Sequence, residues 1–176
     1  VSYIRSLRNR TSLRLSIISG IADREESPLT AEYKHYFENL GSSIGRVSAL
    51  KVPAELADRP SKTVEVRPGI LNCLSATGLN LITERFDPSP AYDLIVVTNV
   101  FPYFSDLELA MALTNISRML AREGYFVHNE PRVTARTITQ SLDLPLRHSR
   151  TVLVAAASAR ERVTPLYDFV GIHQKQ

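Results

Sequence analysis

Apolar positions recur along this chain at two periods, and Gly and Pro separate the segments. Short alternating or continuous apolar runs predict seven strands: Leu13 to Ser19, Thr63 to Arg67, Leu79 to Thr83, Tyr92 to Thr98, Tyr125 to His128, Thr151 to Ala157 and Leu166 to Ile172. The fourth is apolar without a break, as a strand covered on both faces would be. A helical stripe of Tyr33, Tyr36, Phe37, Leu40, Ile44 and Val47 predicts a helix that starts at Ser27, with Pro28 in its first turn. A second helix is predicted from Ser105, where Ser105 and Glu108 have capping-box spacing, to a stop at Gly124. Its inner face is Leu109, Leu113, Ile116 and Leu120. A third helix spans Val133 to Leu144 and ends before Pro145.

Strand and helix alternate in this pattern, which argues an α/β fold with a mostly parallel sheet and helices on both faces. The connection between the sixth and seventh strands, with Arg160, Glu161, Arg162 and Pro165, is too short for a crossover helix. It predicts an antiparallel hairpin at the C-terminus.

Composition narrows the partners more than the fold. The first 14 residues carry Arg5, Arg8, Arg10 and Arg14 with no acid before Asp23, so the net charge of +3 belongs to a short arm and the rest is about neutral. A nucleic-acid footprint across a whole face is not supported; the arm 1–12 is the one segment that could reach a phosphate. The longest aliphatic runs, Leu94 to Val97 and Val152 to Ala157, fall far below the roughly 18 residues of a membrane span. Cys73 is the single cysteine, which fits a reducing compartment and gives cytoplasm as the expected location. The chain begins at Val1 without an initiator Met, so a processed chain or a piece of a longer protein is expected.

The segment Tyr92-Asp93-Leu94-Ile95-Val96-Val97-Thr98-Asn99-Val100-Phe101-Pro102-Tyr103-Phe104, the helix after it, and Met119-Leu120-Ala121-Arg122-Glu123-Gly124-Tyr125-Phe126 resemble the class I S-adenosylmethionine-dependent methyltransferases. The resemblance is strongest over residues 92–130. It implies a Rossmann-like, doubly wound, mostly parallel seven-stranded sheet whose last strand is antiparallel, formed by a single domain over 13–176 behind the basic arm 1–12. It also implies S-adenosylmethionine as cofactor, held beyond the carboxyl ends of the strands where the first and fourth lie side by side.

Carried over residue by residue, the resemblance places Gly20 and Ala22 after the first strand, Glu84 after the third, and Asn99, Val100 and Phe101 after the fourth as cofactor-binding positions. Tyr103, His128 and Glu130 would face the acceptor. The loop Ser19-Gly20-Ile21-Ala22-Asp23-Arg24-Glu25-Glu26 departs from the family by having one glycine where two or three are usual. Two readings stay open: Leu13 to Ser19 is the family's first strand with an altered loop, or it is the family's second strand or part of an added segment, with the Gly-rich half cut away with a missing N-terminus. His128 or Glu130 could serve as a general base, whereas a transfer that relies on alignment needs none.

Other chemistries lack their signatures. The histidines His35, His128, His148 and His173 are dispersed and give no metal-ligand spacing. There is no Gly-x-Ser-x-Gly elbow, no Walker loop and no three-glycine dinucleotide fingerprint. Methyl transfer from S-adenosylmethionine to an unidentified acceptor is the expected activity. The alternative is an inactive methyltransferase-like scaffold that binds a partner.

Overall fold

A computed structural model describes residues 13–87, 90–155 and 165–176. The basic arm 1–12 and the charged turn Arg160–Arg162 lie outside the described residues. The chain divides into two compact units, Val1–Gly78 with Leu153–Tyr167, and Leu79–Val152 with Asp168–Gln176. The architecture is α/β, but its strands form a three-stranded and a four-stranded sheet, which corrects the expected single sheet of seven.

In the first unit, β1 (Leu13–Ile18) and β2 (Gly45–Ala49) both pair antiparallel with a central β3 (Ser61–Val66). Alternate residues of β3 turn inward, so Val64 and Val66 join Leu13 and Leu71 in a small core. The predicted helix from Ser27 to Val47 resolves into α1 (Ala31–Asn39) and then β2. Thr30, not Ser27, caps α1 by accepting from the Tyr33 amide, and the helix ends as Gly41 takes a φ of 89°. Ile44 and Val47 continue the helical spacing by coincidence, since Val47 pairs across the sheet with Val64. Pro68 opens the one-turn helix α2 (Pro68–Leu71).

The second unit keeps the parallel pattern. β4 (Tyr92–Val97) and β5 (Leu120–His128) pair parallel and are joined by α3 (Asp106–Met119). After β5 come α4 (Val133–Ser141), β6 (Leu146–Ala155) and β7 (Leu166–Gln174). The sheet order is β4-β5-β7-β6, with β7 antiparallel to β5 and β6 its hydrogen-bonded neighbour. The helix α3 stops at Met119 and not at Gly124, because the chain turns straight into β5 at Leu120. Gly124 instead marks a bulge: the pairing jumps from Tyr92 with Leu120 to Leu94 with Tyr125, Glu123 has a φ of 64°, and a Cβ at Gly124 would sit 2.9 Å from the Ala121 carbonyl oxygen.

The core of this unit is Phe101, Leu109, Leu113, Ile116, Phe126 and Leu144, with Ala135 of α4 packed into it. Both long helices therefore cover the same face, the one bearing Ile95, Val97 and Phe126. Leu94 and Val96, pointing the other way, are 56% and 57% exposed, so the expectation of helices on both faces is not met by the described residues. The predicted strand Leu79 to Thr83 is a turn. The Leu81 and Ile82 carbonyls accept from the Asn115 side chain of α3 at 3.0 and 3.1 Å, so α3, not a strand ladder, supplies their partner.

Candidate functional site

In a parallel sheet the loops after the strands carry the chemistry, and here the loops after β4 and β5 are fastened to each other. The Asn99 amide donates to the Asn129 side-chain oxygen at 2.9 Å, and the Asn129 side chain donates back to that of Asn99 at 2.8 Å. Asn99 sits at a φ of 59°, a left-handed conformation that Asn tolerates better than most residues.

Arg132, just before α4, completes the fastening. Its Nε and Nη2 grip the two Glu130 oxygens at 3.0 and 3.1 Å. Nη2 also donates to the Phe101 carbonyl at 2.7 Å, and Nη1 donates to the Phe104 carbonyl at 3.0 Å and to Asp106 at 3.3 Å. The five donors of the guanidinium fork thus tie the loop after β4 to the loop after β5. Glu130 is 3% exposed. Burial alone would raise its pKa, but the Arg132 hydrogen bonds and charge outweigh that and hold the carboxyl below its ordinary value.

Behind the pair lies a buried chain of two histidines whose tautomers follow from their partners. The Glu130 amide donates to His128 Nδ1 at 3.0 Å, so that nitrogen carries no proton. His173 Nδ1 faces the Leu144 carbonyl at 2.8 Å, so that nitrogen carries one. The remaining contact, His128 Nε2 to His173 Nε2 at 2.9 Å, then has His128 donating. Both rings are neutral and both are fully bonded. Burial, followed by the neighbouring His173, pushes the His128 pKa down to about 4 against a small opposing effect of Glu130, and burial lowers His173 as well. The rings stack at 4.9 Å between centroids, and Phe126 stacks on His128 at 5.0 Å.

This geometry corrects the expectation of a general base. His128 has no free lone pair, and the Glu130 carboxylate is held by Arg132. Both still line a cavity of about 170 Å³ beside α4. Tyr103, 84% exposed, stands on the loop after β4, and Val100 is partly exposed there. Phe101 is 1% exposed and packs against Phe104, Phe126 and the His128 ring, so its place is in the core.

The remaining sequence-predicted positions fall elsewhere. Glu84 follows a turn, where its carboxylate accepts from the Asn80 amide at 3.0 Å. Gly20 and Ala22 belong to the first unit, after an antiparallel strand. The loop there is closed on itself: the Ile21 amide bonds Ser19 Oγ, the Asp23 amide bonds the Asp58 carbonyl, and Arg59 donates to the Ser19 and Gly20 carbonyls. Asp23 is held by Lys34 and the Leu29 amide, and Arg24 by Asp58. A Cβ at Gly20 would meet nothing within 4 Å, so no close approach requires that glycine. The loop after β1 offers no backbone cradle for the amino-acid group of S-adenosylmethionine, and Glu84, the adenine-side candidate, is exposed with one carboxylate oxygen taken by the Asn80 amide.

Sequence reasoning missed Arg132 and the pairing of His173 with His128. The Glu-x-Arg spacing of Glu130 and Arg132 carried a signal for the first, but the pairing of the histidines, 45 residues apart, carried none.

No protein-family model matches the chain, and no curated protein matches it. Among solved structures it is similar to the N-methyltransferase NodS from Bradyrhizobium japonicum WM9, at 16% identity over 62% of this chain and 66% of that one, with a TM-score of 0.44. NodS in complex with S-adenosyl-L-homocysteine matches at 20% identity over 62% and 60%, with a TM-score of 0.42. A TehB-like SAM-dependent methyltransferase from Corynebacterium glutamicum ATCC 13032 Kitasato matches at 18% identity over 55% and 54%, with a TM-score of 0.40. The chain spans between about half and two thirds of the length of these structures. No helix among the described residues is long and apolar enough to cross a membrane.

Proposed function

We propose that residues 13–176 act as one methyltransferase-type functional domain and supply the acceptor side of methyl transfer from S-adenosylmethionine. The observation that carries this is the pair of loops after β4 and β5, locked together by Asn99, Asn129 and Arg132 at the carboxyl end of a parallel strand pair. Val100 and Tyr103 on the first loop, with the wall at His128 and Glu130, offer the acceptor its surface. The chain's part is to hold the acceptor in place, a contribution of proximity and alignment that asks for no protein base. The acceptor is unidentified, and the setting proposed is the cytoplasm, with the arm 1–12 as the one contact for a phosphate.

The self-bonded loop after β1 favours a second reading, a methyltransferase-like scaffold that binds a partner without the cofactor. Calorimetric titration with S-adenosylmethionine, and separately with S-adenosylhomocysteine, decides between the two. Micromolar binding, about 8 kcal/mol, supports methyl transfer, and Gly20→Phe should then leave it unchanged, since that loop offers no cradle. Heat absent up to millimolar ligand leaves the scaffold.

A further inference from the structure

The cavity of about 170 Å³ beside α4 is slightly larger than one that accommodates benzene. It is built entirely within the second unit, and its walls are of two kinds. One is flat and apolar: the half-buried Phe169 ring lies 6.1 Å from His128, with Leu146 beside it. The two histidines spend all their nitrogens on one another, on the Glu130 amide and on the Leu144 carbonyl, so they present uncharged ring surface. The other wall is cationic. Arg132 and Glu130 neutralise each other there, whereas Arg136 has no carboxylate partner among the described residues. Ser149 supplies a hydroxyl on the same lining, and the N-terminus of α4 lacks a side-chain cap.

We infer that this cavity binds a small planar organic monocarboxylate, its flat body against Phe169 and its carboxylate on Arg136 and Ser149. One uncompensated positive charge sets the ligand's charge, and the ring-lined wall sets its shape. A guanidinium takes a carboxylate in two parallel hydrogen bonds, which phosphate shares but a neutral amide cannot. The cavity shares its His128 and Glu130 wall with the acceptor surface proposed above, but binding there needs no cofactor, so a failure of this test and a failure of the methyl-transfer reading are told apart.

The test uses the full chain, without S-adenosylmethionine, titrated with benzoate and followed by amide NMR shifts. Saturable shifts around Arg136, Ser149 and Phe169 with a Kd of about 1 mM or tighter are expected. Arg136→Gln, an exposed replacement, should weaken binding about tenfold, and benzamide should bind about tenfold more weakly than benzoate to the unaltered chain. Ser149→Phe, which fills the cavity, should abolish the shifts. Absence of saturable shifts, or an Arg136→Gln chain that binds benzoate as well as the original, overturns the assignment. Inorganic phosphate binding as tightly as benzoate at these residues also overturns it, because the flat wall would then contribute nothing.

Discussion

The two units close a helix in the same way and differ in almost everything else. In the first, Lys62 is 5% exposed and gives its ammonium to the Phe37, Glu38 and Leu40 carbonyls at the end of α1. In the second, Lys175 donates to the Ser117 and Leu120 carbonyls at the end of α3, at 2.7 and 2.8 Å. The ion pairs of the first unit among the described residues, Arg24 with Asp58, Lys34 with Asp23, and Glu65 with both Arg46 and Arg14, all lie at the surface. That of Glu130 with Arg132 is buried on the carboxylate side and wired to two loops. A surface pair is interchangeable with water, whereas the buried Glu130 carboxylate has no water to turn to and so holds Arg132 in place. The second unit has therefore invested its polar groups in the position of the loops after β4 and β5, which is where a site needs fixed geometry.

Arg132→Met should break this contrast most severely. It leaves the buried Glu130 carboxylate without its cation and frees the Phe101 and Phe104 carbonyls, a loss of about 3–5 kcal/mol, seen as a lower urea midpoint by circular dichroism. Glu130→Gln in the same chain should restore part of the loss by removing the orphaned charge. Arg46→Met, its counterpart in the first unit, should leave the midpoint where it was. Equal effects for the two arginine variants would end the distinction between the units.

Acid should act on the second unit first. The folded pKa of His128, about 4, lies below the unfolded value of 6.5, so the unfolded chain takes up the proton earlier. Stability from this group is full above about pH 6.5 and falls by about 3 kcal/mol on the way to pH 4. His173 acts in the same direction. Glu130 in the second unit and Asp23 and Asp58 in the first are lowered carboxylates, whose contributions are lost only at more acid pH. The urea midpoint should therefore drop between pH 7 and 4.5, and His128→Phe should flatten that slope. A wild-type midpoint that is level across this range would mean the histidine chain does not titrate as its hydrogen bonds require.

In the first unit the corresponding weak point is Lys62. Burial pushes its ammonium pKa down, with Glu38 opposing, yet three carbonyls depend on it. Lys62→Met keeps an unbranched side chain but removes the donors and the ammonium that lies 4.7 Å from the centre of the Phe37 ring, at about 2 kcal/mol. Lys175→Met, with two carbonyls to lose, should cost less in the same urea titration. The reverse order would show that the end of α3 is the more dependent on its lysine.

The parts of this fold that follow local rules were legible, and the parts set by distant partners were not. The strands at Leu13, Tyr92 and Leu166 follow from short apolar runs, and the Ser105 start of α3 follows from a cap. Val47 was misassigned because its helical spacing from Tyr36 and Leu40 is indistinguishable, in sequence, from its actual pairing with Val64. Leu79 to Thr83 has a strand's composition, but its Leu81 and Ile82 carbonyls belong to Asn115 and its Asn80 carbonyl to the amides of the turn. His128 and Glu130 stand out in the sequence by their place after an apolar run. Their roles do not, since His173 and Arg132 decide whether a lone pair is free, and those partners meet only in the folded chain.

The smallest effect tests the feature that sequence and structure share most closely. Ser105 Oγ accepts from the Glu108 amide at 3.4 Å while the Glu108 carboxylate accepts from the Ser105 amide at 2.8 Å, a reciprocal box at the start of α3. The bond from the Ser105 amide, with the one from Ser105 Oγ to the Glu108 carboxylate, holds that carboxyl below its ordinary pKa. Ser105→Ala should cost about 1 kcal/mol. Thr30 caps α1 without a reciprocal partner but also donates to the Leu153 carbonyl at 3.1 Å, so Thr30→Ala loses two bonds of a different kind. Equal losses in paired thermal melts would mean that the cap hydroxyl alone decides both helices. A clearly larger loss for Ser105→Ala would assign the difference to the bond from Ser105 Oγ to the Glu108 carboxylate, and with it part of the stiffness of the loop that leads from β4 into α3.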